Sequence, residues 1–263
     1  MNCTQIVFSP TGGVSRAADI LANGLADTVE FVDLSDAAAD FSACDLASCD
    51  VAVIAAPSFG GRVPELAVRR LKQIDGKGTK AVDLCVYGNR AYEDTMLELA
   101  DAAKEANFRV IAGVAAVAEH SIVRQYAAGR PDAGDEAALK GIAGRIAEKL
   151  SGEAQEEPKL PGNRPYKKTG GGGLVPRAGS ACTACGRCAA RCPAQAISKT
   201  DLKHADASKC ISCMRCVAEC PAKARSVNKL MVGAAAAALK KVCSVRKECE
   251  LYLSANWDPA MER

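Results

Sequence analysis

Along the first 118 residues, apolar positions come in blocks rather than singly. QIVFS (5 to 9), VEFVDLS (29 to 35), DVAVIAAP (50 to 57), AVDLCVYG (81 to 88) and FRVIAGVAAVA (108 to 118) are short continuous apolar runs. Such runs suit strands buried on both faces. Between most of them, VSRAADILANGLA, PELAVRRLKQI and AYEDTMLELADAAKEA carry apolar residues at helical spacing, and PDAGDEAALKGIAGRIAEKL closes the series. The segment between the second and third runs has a weaker period. Strand and helix alternating through short connections require right-handed crossovers, which predicts a five-stranded parallel sheet with helices on both faces.

Beyond residue 150 this rhythm stops. EEPKLPGNRPYKKTGGGGLVPRAGS is rich in Pro and Gly and has no apolar period, so it reads as a linker or an extended strap. Its run Gly170 to Gly173 predicts flexibility. Near the end, KARSVNKLMVGAAAAALKKVCSVRKECELYL reads as a helix with Ala-rich turns that packs on a domain.

Composition adds bounds to this pattern. At 263 residues the chain exceeds the usual single-domain size. Its hydrophobic content of 49% supports a core, and an aromatic content of 4% leaves the packing to Ala, Val, Leu and Ile. No apolar run is long enough to span a bilayer. Residues 1 to 157 carry 15 basic and 24 acidic groups, whereas residues 158 to 263 carry 19 basic and 7 acidic ones. The basic half fits a negatively charged cofactor, the acidic first half, or an acidic partner. Without Lys and Arg interleaved with aromatics, it does not fit nucleic acid.

The chemistry begins in that basic half. CTACGRCAARCP (Cys182 to Pro193) is repeated as CISCMRCVAECP (Cys210 to Pro221), each with the spacing Cys, two, Cys, two, Cys, three, Cys-Pro. Structural zinc takes paired doublets rather than triplets followed by Cys-Pro, and disulfides belong to oxidising compartments. Residues 180 to 224 resemble a bacterial two-cluster ferredoxin, in which each run wraps one [4Fe–4S] cube and lends its fourth cysteine to the other. The resemblance implies a crossed ligand set: Cys182, Cys185, Cys188 and Cys220 for one cluster, Cys210, Cys213, Cys216 and Cys192 for its twin. Pro193 and Pro221 end the turns that carry the fourth ligands.

In the first half, the loops to inspect lie beyond the carboxyl ends of the strands. The first reads Ser9-Pro10-Thr11-Gly12-Gly13-Val14-Ser15 and runs into a helix, whose N-terminal amides and dipole suit a phosphate. It is neither a Walker loop nor a dinucleotide fingerprint. It resembles the flavodoxin phosphate loop at Ser9, Thr11 and Gly12 and departs from it at Val14, where a hydroxyl residue is expected and Ser15 stands one place on. Two further loops, Pro57-Ser58-Phe59-Gly60-Gly61-Arg62 and Gly88-Asn89-Arg90-Ala91-Tyr92-Glu93-Asp94, correspond to those that surround the isoalloxazine ring in flavodoxins. The resemblance implies strand order 2-1-3-4-5, bound FMN, Phe59 or Tyr92 stacked on the ring, and Arg62 beside the reduced flavin.

Taken together, the chain resembles the flavodoxin and ferredoxin fusion proteins of anaerobic bacteria. The implied organisation is an α/β flavodoxin-like domain (1-157), a linker (158-179), a small α+β domain with two [4Fe–4S] clusters (180-224) and a C-terminal helical extension (225-263). The implied function is electron transfer among clusters, FMN and redox partner proteins. Reduction of a small-molecule acceptor over the flavin is the alternative, and a flavodoxin-like module without FMN is a third. Docking of the two domains is open within one chain or across a homodimer. Cluster chemistry, reduced cysteines and an N-terminus lacking a signal pattern lead to the expectation of a cytoplasmic protein. His120 lies on the functional edge of the sheet and reads as an ordinary loop histidine, His204 as surface. Cys3, Cys44, Cys49, Cys85, Cys243 and Cys249 read as structural thiols.

Overall fold

A computed structural model describes residues 1–152, 156–168 and 173–254. The first part consists of β1 (Asn2–Val7), α1 (Gly13–Leu25), β2 (Thr28–Asp33), β3 (Val51–Pro57), α2 (Glu65–Leu71), β4 (Lys80–Tyr87), α3 (Thr95–Glu105), β5 (Arg109–Val117) and α4 (Ala133–Ser151). Between β2 and β3 only the short turn Phe41–Ala43 is helical, in line with the weak period there. β1 starts three residues earlier than its apolar run, because Thr4 and Gln5 are buried in a strand paired on both sides. Its backbone groups are satisfied by two neighbours, so polar side chains do not exclude it from the sheet.

The five strands are parallel in the order β2-β1-β3-β4-β5, the flavodoxin-like arrangement. α1 turns Val14, Ala17, Ala18, Leu21, Ala22 and Leu25 inward, an i, i+3, i+4 stripe that packs with α4 on one face. α2 and α3 cover the other face with Leu66, Leu71, Leu99 and Ala103. Truncating a buried leucine such as Leu21 or Leu99 costs about 2–5 kcal/mol.

Two features refine the sequence-based picture, the first by taking the strap of its two alternatives and the second by a correction. Residues 156–168 form a strap over α3 and β5. Leu160 seats against Gly113, where a Cβ would stand 2.5 Å from the leucine, and Asp94 accepts from the backbone amides of Asn163 (2.9 Å) and Lys167 (2.7 Å). Of the predicted flexible run Gly170 to Gly173, the first three glycines lie outside the described residues.

The correction concerns the C-terminal extension, which is only partly helical. After β6 (Arg177–Ala178), α5 (Arg187–Ala190), α6 (Arg215–Ala218), β7 (Arg225–Ser226) and α7 (Lys229–Cys243), the chain ends its described course as β8 (Glu250–Tyr252). β8 pairs antiparallel with β5, Gly113 opposite Tyr252, and makes a sixth strand. Three residues are too short a pattern to read from sequence.

The two cysteine runs fold alike. Gly186 (φ 74°) and Met214 (φ 62°) each make the left-handed turn that starts a four-residue helix, α5 or α6. Pairing of β6 with β7 closes the segment. Ala194 and Ile211 from this segment pack against the apolar layer of the α2 and α3 face. The buried Arg70 bridges the two parts by donating to the Leu34 carbonyl (2.7 Å) and the Pro193 carbonyl (2.8 Å). Among the described residues, no helix is long and apolar enough to cross a membrane.

Candidate functional site

The carboxyl ends of β1, β3, β4 and β5 open onto two adjoining cavities, which share Ser58, Phe59, Gly88, His120 and Ser121 as walls. The first cavity begins at the amino end of α1, beside Thr11, Gly13 and Val14. Gly12 caps this 13-residue helix with φ 89° and offers no side-chain acceptor. Ser9 Oγ accepts from the Ser15 amide at 2.9 Å. Among the described residues, nothing accepts from the amides of Thr11, Gly12, Gly13 or Val14. Four unengaged donors at a helix N-terminus form an anion cradle. The Val14 side chain points into the core, so its amide, rather than a hydroxyl, faces the cradle.

The loop after β3 turns tightly through Gly60 (φ 63°) and Gly61 (φ 88°), with Phe59 and Arg62 exchanging backbone hydrogen bonds. Pro57, Ser58, Phe59 and Gly60 line the cavities; Gly61 and Arg62 do not. The Arg62 guanidinium is engaged elsewhere, in a bidentate pair with Glu98 (2.7 and 2.6 Å) and over the Tyr166 ring at 4.8 Å. That pair holds its pKa above the ordinary value. The expected place of Arg62 beside a flavin is therefore corrected: it anchors the strap.

The loop after β4 divides in the same way. Gly88 and Arg90 line the cavities, and Arg90 pairs with Glu93 at 2.9 Å. Asn89 instead donates to the carbonyls of Cys243 (2.8 Å) and Val245 (2.9 Å), and Asp94 holds the strap. Tyr92 is turned away altogether. Its hydroxyl meets Glu250 and Tyr252, each at 2.6 Å, and its ring packs edge-on against Tyr87. Phe59 is the candidate of the two that stays in the cavity wall. The bare Cα of Gly88 leaves room for the His120 ring, which a Cβ there would meet at 2.8 Å.

His120 takes a larger part than its loop setting suggested. Its Nδ1 accepts from the amides of Ile122 and Val123, both at 3.2 Å, which puts the ring proton on Nε2. Burial, and then the Arg90 charge, lower its pKa from the usual 6.5, so the ring is neutral at neutral pH. Pattern alone offered no signal for the remaining walls. Ile211, Ser212 and Cys213 reach the cavities from the second cysteine run, and the buried Ser212 Oγ there has no hydrogen-bond partner among the described residues.

The cysteines fall into two groups. Cys182, Cys185, Cys188 and Cys220 line one cavity of about 340 Å³. Cys192 lies within electrostatic reach of Cys210, Cys213 and Cys216. Burial pushes the Cys213 thiol up to about 12 and Cys216 up to about 11, so a metal bound there displaces protons. Burial raises Cys220 too, but amides of Ala224, Arg225 and Ala222 outweigh it and leave the thiol below its ordinary value. The two Cys-Pro cysteines match: Ala196 N donates to Cys192 Sγ and Ala224 N to Cys220 Sγ, both at 3.3 Å. Amide donors to sulfur tune cluster potentials. Among the described residues, no three His, Cys, Asp or Glu groups converge as a single-ion site. Eight sulfur donors in two groups of four fit the two cubanes that the spacing implies.

Residues 181–225 match the family model described as 4Fe-4S dicluster domain. No curated protein matches the chain. Among solved structures, a flavodoxin of Streptococcus pneumonia TIGR4 is 18% identical, with a TM-score of 0.41, over 57% of this chain and 99% of that one. Two-electron reduced flavodoxin of Megasphaera elsdenii is 22% identical, with a TM-score of 0.40, over 56% of this chain and 100% of that one. Rubredoxin oxygen:oxidoreductase of the anaerobe Desulfovibrio gigas is 16% identical, with a TM-score of 0.41, over 57% of this chain. This chain spans only 36% of that protein's length.

Proposed function

We propose, on the premise of a flavodoxin-like fold fused to a dicluster segment, that this chain is an electron-transfer protein relaying low-potential electrons between two [4Fe–4S] clusters, FMN and redox partners. The observation that carries the reading is Cys213, which belongs to the second cysteine run and also stands in the wall of the cavity at the strand ends. When bound, FMN exchanges one or two electrons and each cubane one, so that together they split or gather two-electron steps.

The chain's own contribution is placement. Amides of Thr11, Gly12, Gly13 and Val14 hold the phosphate, and the α1 dipole favours its charge. Phe59 and the backbone of Gly60 and Gly88 bound the ring, and His120 Nε2–H supplies a hydrogen bond from a neutral imidazole. Cys210, Cys213, Cys216 and Cys192 would hold the cluster nearer the strand-end cavity, whose wall Cys213, Ile211 and Ser212 join. Cys182, Cys185, Cys188 and Cys220 hold the outer cluster, whose Cys185 is exposed. That exposure would leave this cluster open to exchange with a partner. A second reading, reduction of a small molecule, draws on the polar rim of the strand-end cavity where Arg90, His120, Ser121 and Ser212 meet.

The test is an anaerobic reductive titration of the reconstituted full chain, following flavin absorbance and cluster EPR, with iron, sulfide and FMN quantified first. About eight irons and one FMN per chain, with electrons equilibrating between the centres, is the expected result. Clusters without FMN overturn both flavin readings. Turnover of a small acceptor faster than exchange with protein carriers favours the reductase.

A further inference from the structure

Among the described residues, Arg225 is an arginine without a counter-ion. It is 3% exposed, sits on β7 opposite Ala178, and donates to the carbonyls of Leu202 (2.8 Å) and Pro176 (3.4 Å). Its Nε is buried with no hydrogen-bond partner, and among the described residues no carboxylate pairs with it. The neighbouring cations are placed differently: Arg187 and Arg191 are half-exposed and reach Glu219, and the buried Arg215 reaches Glu219 and Asp33. Leaving a guanidinium buried and unpaired is strongly unfavourable, so a compensating anion belongs beside it.

The available anions are cluster thiolates. Arg225 lines the cavity of Cys182, Cys185, Cys188 and Cys220. Its charge also counts among the influences, after burial, on Cys188 and Cys220 of that group and on Cys210 and Cys216 of the other, and its side chain hydrogen-bonds the Cys216 sulfur. One cation thus lies within reach of both quartets. We propose that Arg225 is a tuning residue shared by the two clusters: a fixed positive charge, fastened by the Leu202 and Pro176 carbonyls, that stabilises the added electron on either cluster and raises both reduction potentials. The proposal rests on the reading of the two quartets as [4Fe–4S] ligands. The reasoning is electrostatic. One-electron reduction adds a negative charge next to a cation in a poorly screened interior.

The test compares the reconstituted full chain with Arg225→Gln and Arg225→Lys, measuring iron per chain and the potentials of both clusters by EPR-monitored titration. In Arg225→Gln, both potentials should fall, with the reduced-to-oxidised ratio at fixed ambient potential dropping about tenfold, or about 59 mV for a one-electron couple. Arg225→Lys, which keeps the charge and loses the fork, should stay near the wild type. Unmoved potentials in an Arg225→Gln protein that retains its iron overturn the proposal. Should Arg225→Gln lose iron, Arg225→Lys decides: loss there too means the fork is purely structural, and retention at near wild-type potentials supports the charge. A wild-type chain that takes up no iron overturns the cluster reading itself, and this proposal with it.

Discussion

Arg70 and Pro193 are 123 residues apart in sequence and joined by a 2.8 Å hydrogen bond from Nη2 to the carbonyl oxygen, one residue beyond Cys192. The same guanidinium holds the Leu34 carbonyl next to the end of β2 and stacks over Phe41 at 5.7 Å. One buried side chain therefore ties the edge of the parallel sheet to a cysteine loop.

Arg70→Met should loosen that tie without removing a cofactor contact. It leaves two carbonyls without donors, at about 1–3 kcal/mol each. Deuterium uptake at residues 192–194 and 211–213 should rise, and Tm should fall. Unchanged uptake at both places would mean that Ala194 and Ile211 hold the segment by apolar packing alone.

The two aromatic candidates for the flavin separate cleanly by substitution. Phe59→Ala removes a cavity wall and should weaken FMN binding about tenfold, near 1.4 kcal/mol. Tyr92→Phe should leave FMN affinity alone. Its effect appears in stability, about 1–2 kcal/mol, because Glu250 and Tyr252 lose a half-buried partner. Fluorimetric FMN titration beside thermal melts of both variants gives the comparison.

Asp83 stands in the middle of β4, fully buried, with neither carboxyl oxygen hydrogen-bonded among the described residues. Burial raises its pKa well above 3.8, against a smaller opposing pull from Lys104, so the folded protein keeps it protonated. The unfolded chain ionises it near pH 4. A raised folded pKa gives stability that is whole below the unfolded pKa and lost as pH rises toward the folded one. The loss amounts to about 1.4 kcal/mol per pH unit within that window. Asp83→Asn should flatten this dependence in urea melts as pH is raised from 4.5. A parallel slope in the variant would show that Asp83 is not its source.

A stop after Ser244 removes β8 together with the Leu253 carbonyl that accepts from Lys149 and both hydroxyl partners of Tyr92, and exposes the β5 edge. With Leu251 and Tyr252 no longer buried, stability should fall by at least about 3–5 kcal/mol. Residues 173–243 should become sensitive to limited proteolysis. A resistant truncated protein would assign the docking to Arg70 and the strap.

How legible the molecule was in its sequence depends on the range of the interaction. The five strands and their helices were readable because burial on both faces leaves continuous apolar runs such as VAVIAA. The cysteine runs were readable because thiolate spacing is local chemistry. Arg62, Asn89, Tyr92 and Asp94 sit in the expected loops, yet their side chains serve the strap and the C-terminal extension, partners 69 to 160 residues away. No local pattern records such a pairing. Cys213 in the cavity wall was hidden for the same reason, since tertiary docking alone brings it there.

β8 gives the dicluster segment two anchors on one sheet, the strap before it and the sixth strand after it. Tethering at both ends turns an encounter into an intramolecular event, with an effective concentration that dilution does not change. Exchange between the inner centres should then be first order in protein, and only traffic at the outer cluster should slow when partners become scarce. On the relay proposed above, the antiparallel strand of three residues would separate a private electron path from a public one.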